Sequence, residues 1–399
     1  MSAVLSPAVP SAAARTPDPG TKLPAVGTTI FTVMSALAAE KNAVNLGQGF
    51  PDFHCDPALT EAVTTAMQAG HNQYPPMPGI PALRQAIAAK IEALYGRRYD
   101  AGTEVTVTAG ATQAIITAIL ALVRPGDEVI VLEPCYDSYV PNIELAGGTV
   151  VRVPLTPGSF RPDFARIAAA LTPRTRAILI NTPHNPSATV WTAAEMRALE
   201  ELLAPTDVFV ISDEVYEHMV YDGAVHQSVA RFPGLAARSF IVSSFGKTYH
   251  VTGWKVGYVA APAVLMAEFR KVHQFNVFTV NTPMQHALAS YMAQPGPYLE
   301  LPAFYQRKRD LFVQGLAKTR FKLLRSEGTY FQCVDISALP AARDLNEADF
   351  CQWLTREVGV AAIPLSAFYG DGFDQRVVRF CFAKKDETLV SALERLARL

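Results

Sequence analysis

The sequence predicts an α/β protein: a large domain with a mostly parallel seven-stranded sheet, followed by a smaller α+β domain. Short runs that are nearly continuous in Val, Ile, Leu and Phe alternate with helical or irregular stretches, and such runs are typical of strands buried on both faces. After about residue 262 this alternation ends, and longer helices with scattered strands follow. The length of 399 residues agrees with two domains, because a single hydrophobic core stops growing near roughly 250–300 residues.

The elements are predicted in chain order from hydrophobic spacing and turn residues. We expect a disordered tail over 1–24, a segment joining the small domain over 25–50, the large domain over 51–290 and the small domain over 291–399. The large sheet is expected to use strands at 104–108, 128–133, 149–154, 175–181, 208–213, 240–244 and 256–260. Helices are expected at 28–39, 57–69, 80–94, 263–274, 283–292 and 298–318. The small domain is expected to hold strands at 322–324, 329–335, 360–363 and 377–382, and a final helix capped by Asp386.

Composition and charge argue against several classes of protein. The 35 basic and 36 acidic residues nearly cancel, which does not suit a nucleic-acid scaffold. The longest apolar stretch, 114–123, is too short to span a bilayer, and the N-terminal tail lacks the charged start and apolar core of a secretory signal. The five cysteines are scattered and form no metal-binding pattern, so we expect them to be reduced. These features predict a cytoplasmic protein that acts on a small ligand, with no nucleic-acid or membrane partner and no metal.

Chemically distinctive residues follow successive strands of the predicted sheet. Ligands in such sheets bind beyond the carboxyl ends of the strands, so these positions are the candidates for a site. They are Ala111 and Thr112 at the start of a helix, the aromatic Tyr136, the amide Asn185, the carboxylate Asp213, the phenol Tyr216 and the amine Lys247. Each alone has an ordinary explanation as a helix cap, a turn former, a packing residue or a surface lysine. Together, an anion-binding helix start, an aromatic plate, an amide, a buried carboxylate and a desolvated lysine are what pyridoxal 5′-phosphate requires.

Three further residues each have two interpretations. Gly49 lies in a glycine turn that either presents an N–H group to an anion or only reverses the chain before Pro51. Tyr74 lies in a proline-rich loop and either reaches a ligand or packs. Arg379 lies inside an apolar strand, where a basic side chain needs a partner. That partner is either an acidic residue of the protein or the carboxylate of a substrate, held in a bidentate fork.

Several motifs together carry a resemblance to a known family. The stretches SSFGKTYHVTGWKVGY, NTPHNP, SDEVY and VVRFCF resemble the class I/II aminotransferases of the fold type I pyridoxal-phosphate family. The resemblance covers the chain after about residue 25. Within the family, NLGQGFPDF, NQY, GAT, HNPSATVW and IPLSAFY resemble the kynurenine/methionine aminotransferase branch, and the methionine-preferring bacterial members most of all. Two positions depart from the usual family pattern: Ala188 replaces a common glycine and Lys255 a common arginine, and both replacements are seen in this branch.

The resemblance implies a role for each candidate residue. Lys247 would hold the cofactor covalently and move the α-proton of the substrate, while Asp213 would keep the ring nitrogen protonated. The ring oxygen would be bound by Tyr216 and Asn185, and the ring face by Tyr136. The phosphate would be held by Ala111, Thr112, Ser244, Lys255 and, from the neighbouring subunit of a homodimer, Tyr74. The substrate carboxylate would be bound by Arg379, Asn185 and the N–H group of Gly49, and the side-chain pocket would be formed by Ile30, Phe31, Phe278 and Phe368.

The implied activity is a ping-pong transamination. An apolar, aromatic or sulfur-containing amino acid such as methionine, phenylalanine, tyrosine or kynurenine would give its amine to the cofactor, and a 2-oxo acid would take it back, with methionine as the best single substrate. Two alternatives remain at this point. The same cofactor site could act as a cysteine-S-conjugate β-lyase, or the chain could be a transcription regulator with an aminotransferase-like domain, although the short N-terminal tail, poor in basic residues, does not suit a helix-turn-helix.

Overall fold

The structure is a computed structural model that describes residues 18–399. The tail predicted for 1–24 therefore lies mostly outside the described residues, and its described part, 18–24, contains no helix or strand. The first elements are helix α1 (Ile30–Glu40) and strand β1 (Val44–Asn45). Helix α1 begins where the Thr29 hydroxyl accepts a hydrogen bond from the backbone of Thr32. Among the described helices, none has both the length and the apolar content needed to cross a membrane.

The central sheet has the seven predicted strands, and each boundary lies within one residue of its prediction. They are β2 (Val105–Thr108), β3 (Glu128–Glu133), β4 (Thr149–Pro154), β5 (Thr175–Asn181), β6 (Phe209–Asp213), β7 (Ser239–Ser244) and β8 (Gly257–Ala260). Their order across the sheet is β4-β3-β5-β6-β7-β8-β2. All neighbours pair in parallel except β8, which is antiparallel to both β7 and β2. The predicted mostly parallel α/β sheet is thus confirmed.

Helices cover both faces of this sheet, and the strands alternate between the two resulting cores. In β3, Val129 and Val131 face one core, whereas Ile130 and Leu132 face the other, so the strand is buried on both sides. The helices of this part of the chain are α2 (Pro57–Gln68), α3 (Pro81–Tyr95), α4 (Gly110–Leu122), α5 (Tyr139–Leu145), α6 (Phe164–Ala170), α7 (Ala193–Leu203), α8 (Pro233–Ala236), α9 (Phe245–Thr248), α10 (Ala263–Asn276) and α11 (Thr282–Tyr291).

The C-terminal part of the chain is a smaller α+β unit. Its helices are α12 (Gly296–Leu299), α13 (Leu301–Leu316), α14 (Glu347–Trp353) and α15 (Asp386–Leu396). Its strands are β9 (Lys322–Leu323), β10 (Phe331–Asp335), β11 (Val360–Ala361), β12 (Ile363–Pro364) and β13 (Val377–Cys381). Four of them form an antiparallel sheet in the order β12-β13-β10-β9, while β11 pairs in parallel with β1 from the N-terminal segment. The domain limits given above stay predictions.

Two local predictions in this region are wrong. The single strand expected at 360–363 is divided between two sheets, because β11 pairs with β1 while β12 pairs with β13. Asp386 does not cap the last helix, since it is the first residue of α15 and its carboxylate binds Lys308 at 2.8 Å. The start of α15 is instead bound by Asp52, whose two oxygens accept from the Lys385 N–H group at 2.6 Å and the Thr388 hydroxyl at 2.7 Å. A residue distant in sequence thus replaces a local cap.

Candidate active site

A cavity of about 260 Å³ lies at the carboxyl edge of the large sheet. Strands β5, β6 and β7 end there in parallel, and β13 and the segment after β1 contribute from the opposite side. Every residue predicted to bind the cofactor or the substrate carboxylate, except Tyr74, lines this cavity: Gly49, Ala111, Thr112, Tyr136, Asn185, Asp213, Tyr216, Ser244, Lys247, Lys255 and Arg379. The strand ends therefore bring these side chains together as their positions in the sequence suggested.

Lys247 lies on the short helix α9, which directly follows β7. The Ser244 hydroxyl accepts from the Gly246 N–H group at 3.2 Å and so caps this turn. The Lys247 amine donates to the Tyr330 hydroxyl at 2.8 Å and to the Gly49 carbonyl oxygen at 3.1 Å. Burial lowers the pKa of Lys247 to about 8. About a tenth of the amine is therefore neutral at pH 7, far more than for an ordinary lysine, and a neutral amine can attack an aldehyde.

Asp213 ends β6 and is held by hydrogen bonds to both of its carboxylate oxygens. Oδ2 accepts from the Tyr139 hydroxyl at 2.6 Å, and Oδ1 accepts from the Val215 N–H group at 3.2 Å. Burial raises the pKa of Asp213 to about 6 in spite of these bonds. A cationic ring nitrogen beside this carboxylate would favour its charged form and lower that pKa again. Asp213 is thus suited to pair with a protonated pyridine.

Asn181 fixes the loop that carries Asn185 against the end of β6. Its amide nitrogen donates to the backbone carbonyl of Asp213 at 2.8 Å, and its amide oxygen accepts from the Asn185 N–H group at 2.7 Å. The side chain of Asn185 in turn accepts from Nη1 of Arg379. The amide and the guanidinium therefore face the cavity as one unit.

Arg379 is a buried cation without an acidic partner among the described residues. Only 1% of its surface is exposed. Its hydrogen-bond partners are the side-chain oxygen of Asn185 and, at 3.3 Å, the carbonyl oxygen of Gly47. Its Nε atom has no hydrogen-bond partner within the described part of the chain. The Phe331 ring lies 3.9 Å and the Phe368 ring 5.0 Å from the guanidinium carbon. The structural ion pair left open by the sequence is therefore not formed, and the unsatisfied guanidinium fits a carboxylate ligand.

The opposite end of the cavity has the features of a phosphate site. Helix α4 starts at Gly110, so the free N–H groups of its first turn point toward this end. Gly110 has a φ of +78°, and a Cβ atom there would lie 3.5 Å from the Lys255 amine. Thr112 and Ser244 add hydroxyl groups to the same wall. These donors fit a phosphate, and together with the carboxylate of Asp213 and the amine of Lys247 they match the groups of pyridoxal 5′-phosphate.

The two departures from the usual family pattern both lie in left-handed backbone. Ala188 has a φ of 64° and Lys255 a φ of 54°, a region that favours glycine. The conformation at Ala188 gives a reason why glycine is common at that position. The side chain of Lys255 reaches Gly110, so its charge lies next to the first turn of α4. A lysine there supplies a single point charge, whereas an arginine would supply a planar guanidinium that can bind two phosphate oxygens at once.

Several predicted residues do not reach the cavity of this chain. Tyr74 is 82% exposed, and its ring meets the Phe278 ring edge-on at 5.4 Å, so both lie on the surface. Phe368 lies behind the cavity wall, where it contacts Phe31 with ring centroids 5.9 Å apart. Of the four residues suggested for the side-chain pocket, only Phe31 lines the cavity, and Ile30 packs against the core instead.

Sequence reasoning missed Tyr139 and Tyr330, which contact the two central groups. Tyr139 is the first residue of α5 and lies three residues after Tyr136, and a turn in which its N–H group donates to the Tyr136 carbonyl oxygen at 3.2 Å brings the two rings together. Tyr330 is 83 residues from Lys247 in the chain, and no local pattern connects them. The cavity wall also includes Gln48, which lies in the motif NLGQGFPDF but was given no role, and Asp137, which lies in no motif.

Comparison with known proteins agrees with this geometry. The family model "Aminotransferase class I and II" matches residues 41–396. A methionine aminotransferase of Escherichia coli is 55% identical over 382 residues, covering 96% of this chain and 98% of the relative. A solved structure of the Escherichia coli methionine aminotransferase, also 55% identical, superposes with a TM-score of 0.94 over 96% of this chain and all of its own.

Two further relatives are named for other transamination reactions. A probable N-succinyldiaminopimelate aminotransferase of Mycobacterium tuberculosis is 43% identical, covering 93% of this chain and 96% of the relative. The solved structure of that enzyme has a TM-score of 0.91, with 96% of this chain and 100% of its own covered. Human kynurenine–oxoglutarate transaminase 1 is 38% identical, covering 91% of this chain and 93% of its own. All these relatives are named as transaminases, which favours amino transfer over β-elimination.

The family match and the geometry lead to one conclusion about the chain. Pyridoxal 5′-phosphate supplies an aldehyde that binds amines and a ring that accepts electrons from the substrate. The cavity provides an amine of lowered pKa, a buried carboxylate, a helix start with free N–H groups and a guanidinium that forms no salt bridge with a described residue. With the family model matched over residues 41–396, the chain belongs to the class I and II aminotransferases, enzymes that use pyridoxal 5′-phosphate as their cofactor.

Proposed function

We propose that this protein transfers the amino group between an L-amino acid with an uncharged side chain, methionine above all, and a 2-oxo acid. The observation that carries this proposal is the small number of basic side chains in the cavity wall. Among residues 18–399, its wall holds three basic side chains, those of Lys247, Lys255 and Arg379. Lys247 serves the amine chemistry, Lys255 the phosphate and Arg379 the substrate α-carboxylate. No basic side chain of the described chain is left in the wall for a second carboxylate such as that of aspartate.

The rest of the wall supports the same preference. Phe31, Tyr136 and Phe331 supply aromatic surface beside the proposed carboxylate site. Asp137 adds an acidic group to the wall, and a negative charge there would repel a second substrate carboxylate. The 55% identity with a methionine aminotransferase over nearly the whole chain supports methionine as the donor. Pockets separate apolar side chains by only about 1–3 kcal/mol per methylene, so phenylalanine, tyrosine and kynurenine are expected to react as well.

We assign the steps to the chain's own residues as follows. Arg379 and Asn185 bind the substrate α-carboxylate, aided by the N–H group of Gly49, and so fix the orientation of the α-carbon. The Lys247 amine takes the α-hydrogen as a proton and returns it later in the cycle. When the cofactor is bound, Asp213 would keep its ring nitrogen protonated. Tyr216 and Asn185 would bind the ring oxygen, Tyr136 would lie against the ring face, and Ala111, Thr112, Ser244 and Lys255 would hold the phosphate.

We also propose that the active enzyme is a homodimer in which Tyr74 completes the phosphate site of the neighbouring subunit. Tyr74 and Phe278 form an aromatic pair on the surface, and Phe275 nearby in the chain is 88% exposed. Exposed aromatic side chains of this kind are typical of protein interfaces. The five cysteines are all unpaired, which suits a reducing compartment, and we therefore place the enzyme in the cytoplasm.

The test is a donor panel with the cofactor-loaded enzyme. Methionine, phenylalanine, tyrosine, kynurenine, aspartate and N-succinyl-L,L-diaminopimelate are each paired with 2-oxo-4-methylthiobutyrate, phenylpyruvate or 2-oxoglutarate as acceptor. We expect kcat/KM for methionine to exceed that for aspartate by about 100-fold or more, because aspartate would leave a buried carboxylate unpaired. Equal values for the two donors would contradict the charge argument. Release of pyruvate and ammonia from a cysteine S-conjugate, with negligible amino transfer, would favour the lyase.

A further inference from the structure

Three groups form a closed hydrogen-bonded triangle at the edge of the cavity. The Lys247 amine donates to the Tyr330 hydroxyl oxygen at 2.8 Å and to the Gly49 carbonyl oxygen at 3.1 Å. The Tyr330 hydroxyl also donates to the same carbonyl of Gly49. Because a carbonyl oxygen can only accept, the hydroxyl hydrogen is committed to Gly49. The oxygen of Tyr330 is therefore free to act as an acceptor for the amine.

The position of the Tyr330 hydroxyl is fixed by packing around its ring. Tyr330 is fully buried, and the rings of Tyr216, Tyr305 and Phe331 surround it with centroids 5.2, 5.7 and 4.9 Å away. Its carbonyl oxygen accepts from the Phe382 N–H group at 2.9 Å, which fixes the backbone. Burial raises the pKa of Tyr330 well above its usual value, so the hydroxyl keeps its proton. Tyr330 thus offers the amine a rigid and uncharged acceptor.

A neutral amine has two N–H bonds and one lone pair. In this structure both N–H bonds of a neutral Lys247 are accounted for, one by Tyr330 and one by Gly49. The lone pair then takes the one tetrahedral position left on the nitrogen, and Lys247 lines the cavity. A general base must direct its lone pair at the proton that it removes, so this arrangement prepares the free amine for proton removal.

We propose that Tyr330 is a positioning residue for the reaction: its hydroxyl orients the free amine of Lys247 so that the lone pair faces the α-hydrogen of the substrate. The proposal rests on the amino transfer proposed above. It also links two parts of the site, because the carbonyl group of Gly49 closes the triangle while its N–H group is assigned to the substrate carboxylate. The amine and the carboxylate-binding segment are thereby held in one fixed relation.

Tyr305 provides a matched control for the substitution of Tyr330. Both tyrosines are fully buried, and their rings lie 5.7 Å apart. The Tyr305 hydroxyl has no hydrogen-bond partner within residues 18–399, whereas that of Tyr330 contacts the amine. Tyr330→Phe and Tyr305→Phe therefore remove the same atom from neighbouring places in the core. Only the first removes a contact with Lys247.

The first measurement follows the amine itself and does not require turnover. Wild-type protein and both variants are loaded with pyridoxamine 5′-phosphate, which has no aldehyde and leaves Lys247 free. The rate of Lys247 acetylation by acetic anhydride is then measured against pH by mass spectrometry. An acceptor of the ammonium hydrogens stabilises the charged amine, so its loss in Tyr330→Phe is expected to shift the apparent pKa of Lys247 downward. Tyr305→Phe is expected to match wild type, and an unchanged pKa in Tyr330→Phe would overturn the proposal.

The second measurement is steady-state kinetics with methionine and with α-deuterated methionine. We expect Tyr330→Phe to lower kcat by about 10- to 100-fold, because a base that is no longer oriented loses part of the roughly 10²- to 10⁴-fold contribution of general base catalysis, with little change in KM. The deuterium isotope effect on kcat should rise, because proton removal becomes the slower step. Tyr305→Phe should stay near wild type in both. A similar loss in the two variants, with no change in the isotope effect, would mean that Tyr330 only packs.

The two measurements separate failure of this proposal from failure of the proposed function. If the wild-type enzyme transfers no amino group from any donor, the proposed function fails. The acetylation profile still decides whether Tyr330 binds the Lys247 amine. If wild type is active but Tyr330→Phe matches it in both the acetylation profile and the isotope effect, the role proposed for Tyr330 is wrong. The proposed function then still stands.

Discussion

The hydroxyl group of Tyr139 donates a hydrogen bond of 2.6 Å to Oδ2 of Asp213. This bond opposes the effect of burial, which raises the pKa of that carboxylate to about 6. Tyr139 is itself buried at the start of α5, so the bond is shielded from water. The tyrosine thus helps to keep Asp213 charged where it is proposed to meet the ring nitrogen of the cofactor.

Tyr139→Phe is expected to weaken cofactor binding in a pH-dependent manner. Without the donor, the pKa of Asp213 rises further, so more of the carboxylate is protonated between pH 6 and 7. We expect the Kd for pyridoxal 5′-phosphate to increase by about 10- to 100-fold, most strongly at the acidic end of this range. Equilibrium titration at several pH values, with Tyr305→Phe as the control, measures this change. A Kd that rises equally at all pH values would show that the hydroxyl acts only on packing.

The lowered pKa of Lys247 predicts how fast the free protein takes up its cofactor. Only the neutral amine attacks the aldehyde, and its fraction increases with pH until the pKa of about 8 is passed. The rate constant for the appearance of the cofactor's visible absorption band should therefore increase from pH 6 and level off above about pH 8. Lys247→Ala should form no such band and lose nearly all turnover while keeping its fold. A rate that does not change with pH, or activity retained in Lys247→Ala, would contradict the assignment.

Arg379→Lys tests whether the buried guanidinium binds the substrate carboxylate. A lysine keeps the positive charge but loses the planar fork that binds both carboxylate oxygens. We expect KM for methionine to increase by about 100-fold with a smaller effect on kcat, and the affinity for pyridoxal 5′-phosphate to stay near wild type. Arg325→Lys, at a side chain that is 80% exposed, provides the control. A normal KM for methionine in Arg379→Lys would show that Arg379 does not bind the substrate carboxylate.

The sequence was sufficient for the central sheet because each strand has a local signal. Runs such as 128–133 are apolar along most of their length, and the turn residues after them mark where each strand ends. The rule that ligands bind at the carboxyl edge then brought Asp213, Asn185 and Lys247 into one site. Each of these residues lies within a few positions of a strand end, so its placement follows directly from the strand assignment.

Contacts between distant segments could not be predicted in the same way. Tyr330 reaches Lys247 because the residues in β13 and next to β10 lie against the segments that follow the strands of the large sheet, a matter of tertiary structure rather than of local pattern. The strand expected at 360–363 is divided for a similar reason. Val360 pairs with Val44, which is 316 residues earlier, whereas Ile363 pairs with Arg379, which is 16 residues later. Tyr74 lies on the surface of the chain, and the role proposed for it would require a second subunit, which no pattern in one chain shows.

The start of α15 is bound by a residue distant in sequence, Asp52, rather than by the local Asp386, and measurements of stability can test this difference. Asp52 accepts from the Lys385 N–H group at 2.6 Å and the Thr388 hydroxyl at 2.7 Å, whereas Asp386 only pairs with Lys308 from a side chain that is 66% exposed. Loss of a helix cap costs about 1 kcal/mol, and an exposed ion pair contributes less than that. We therefore expect Asp52→Ala to lower the free energy of unfolding by about 1 kcal/mol and Asp386→Ala by at most about 0.5 kcal/mol.

Denaturant unfolding of the two loaded variants beside wild type measures the difference. Since the protein is large, the comparison rests on the transition of the smaller unit, which carries α15 and one of the three tryptophans, Trp353. Asp52 is also three residues from Gly49, so Asp52→Ala should loosen the segment that closes the triangle with Lys247 and Tyr330. If Asp386→Ala destabilises the protein as much as Asp52→Ala, or more, Asp386 would be the residue that stabilises the start of α15, as the sequence predicted.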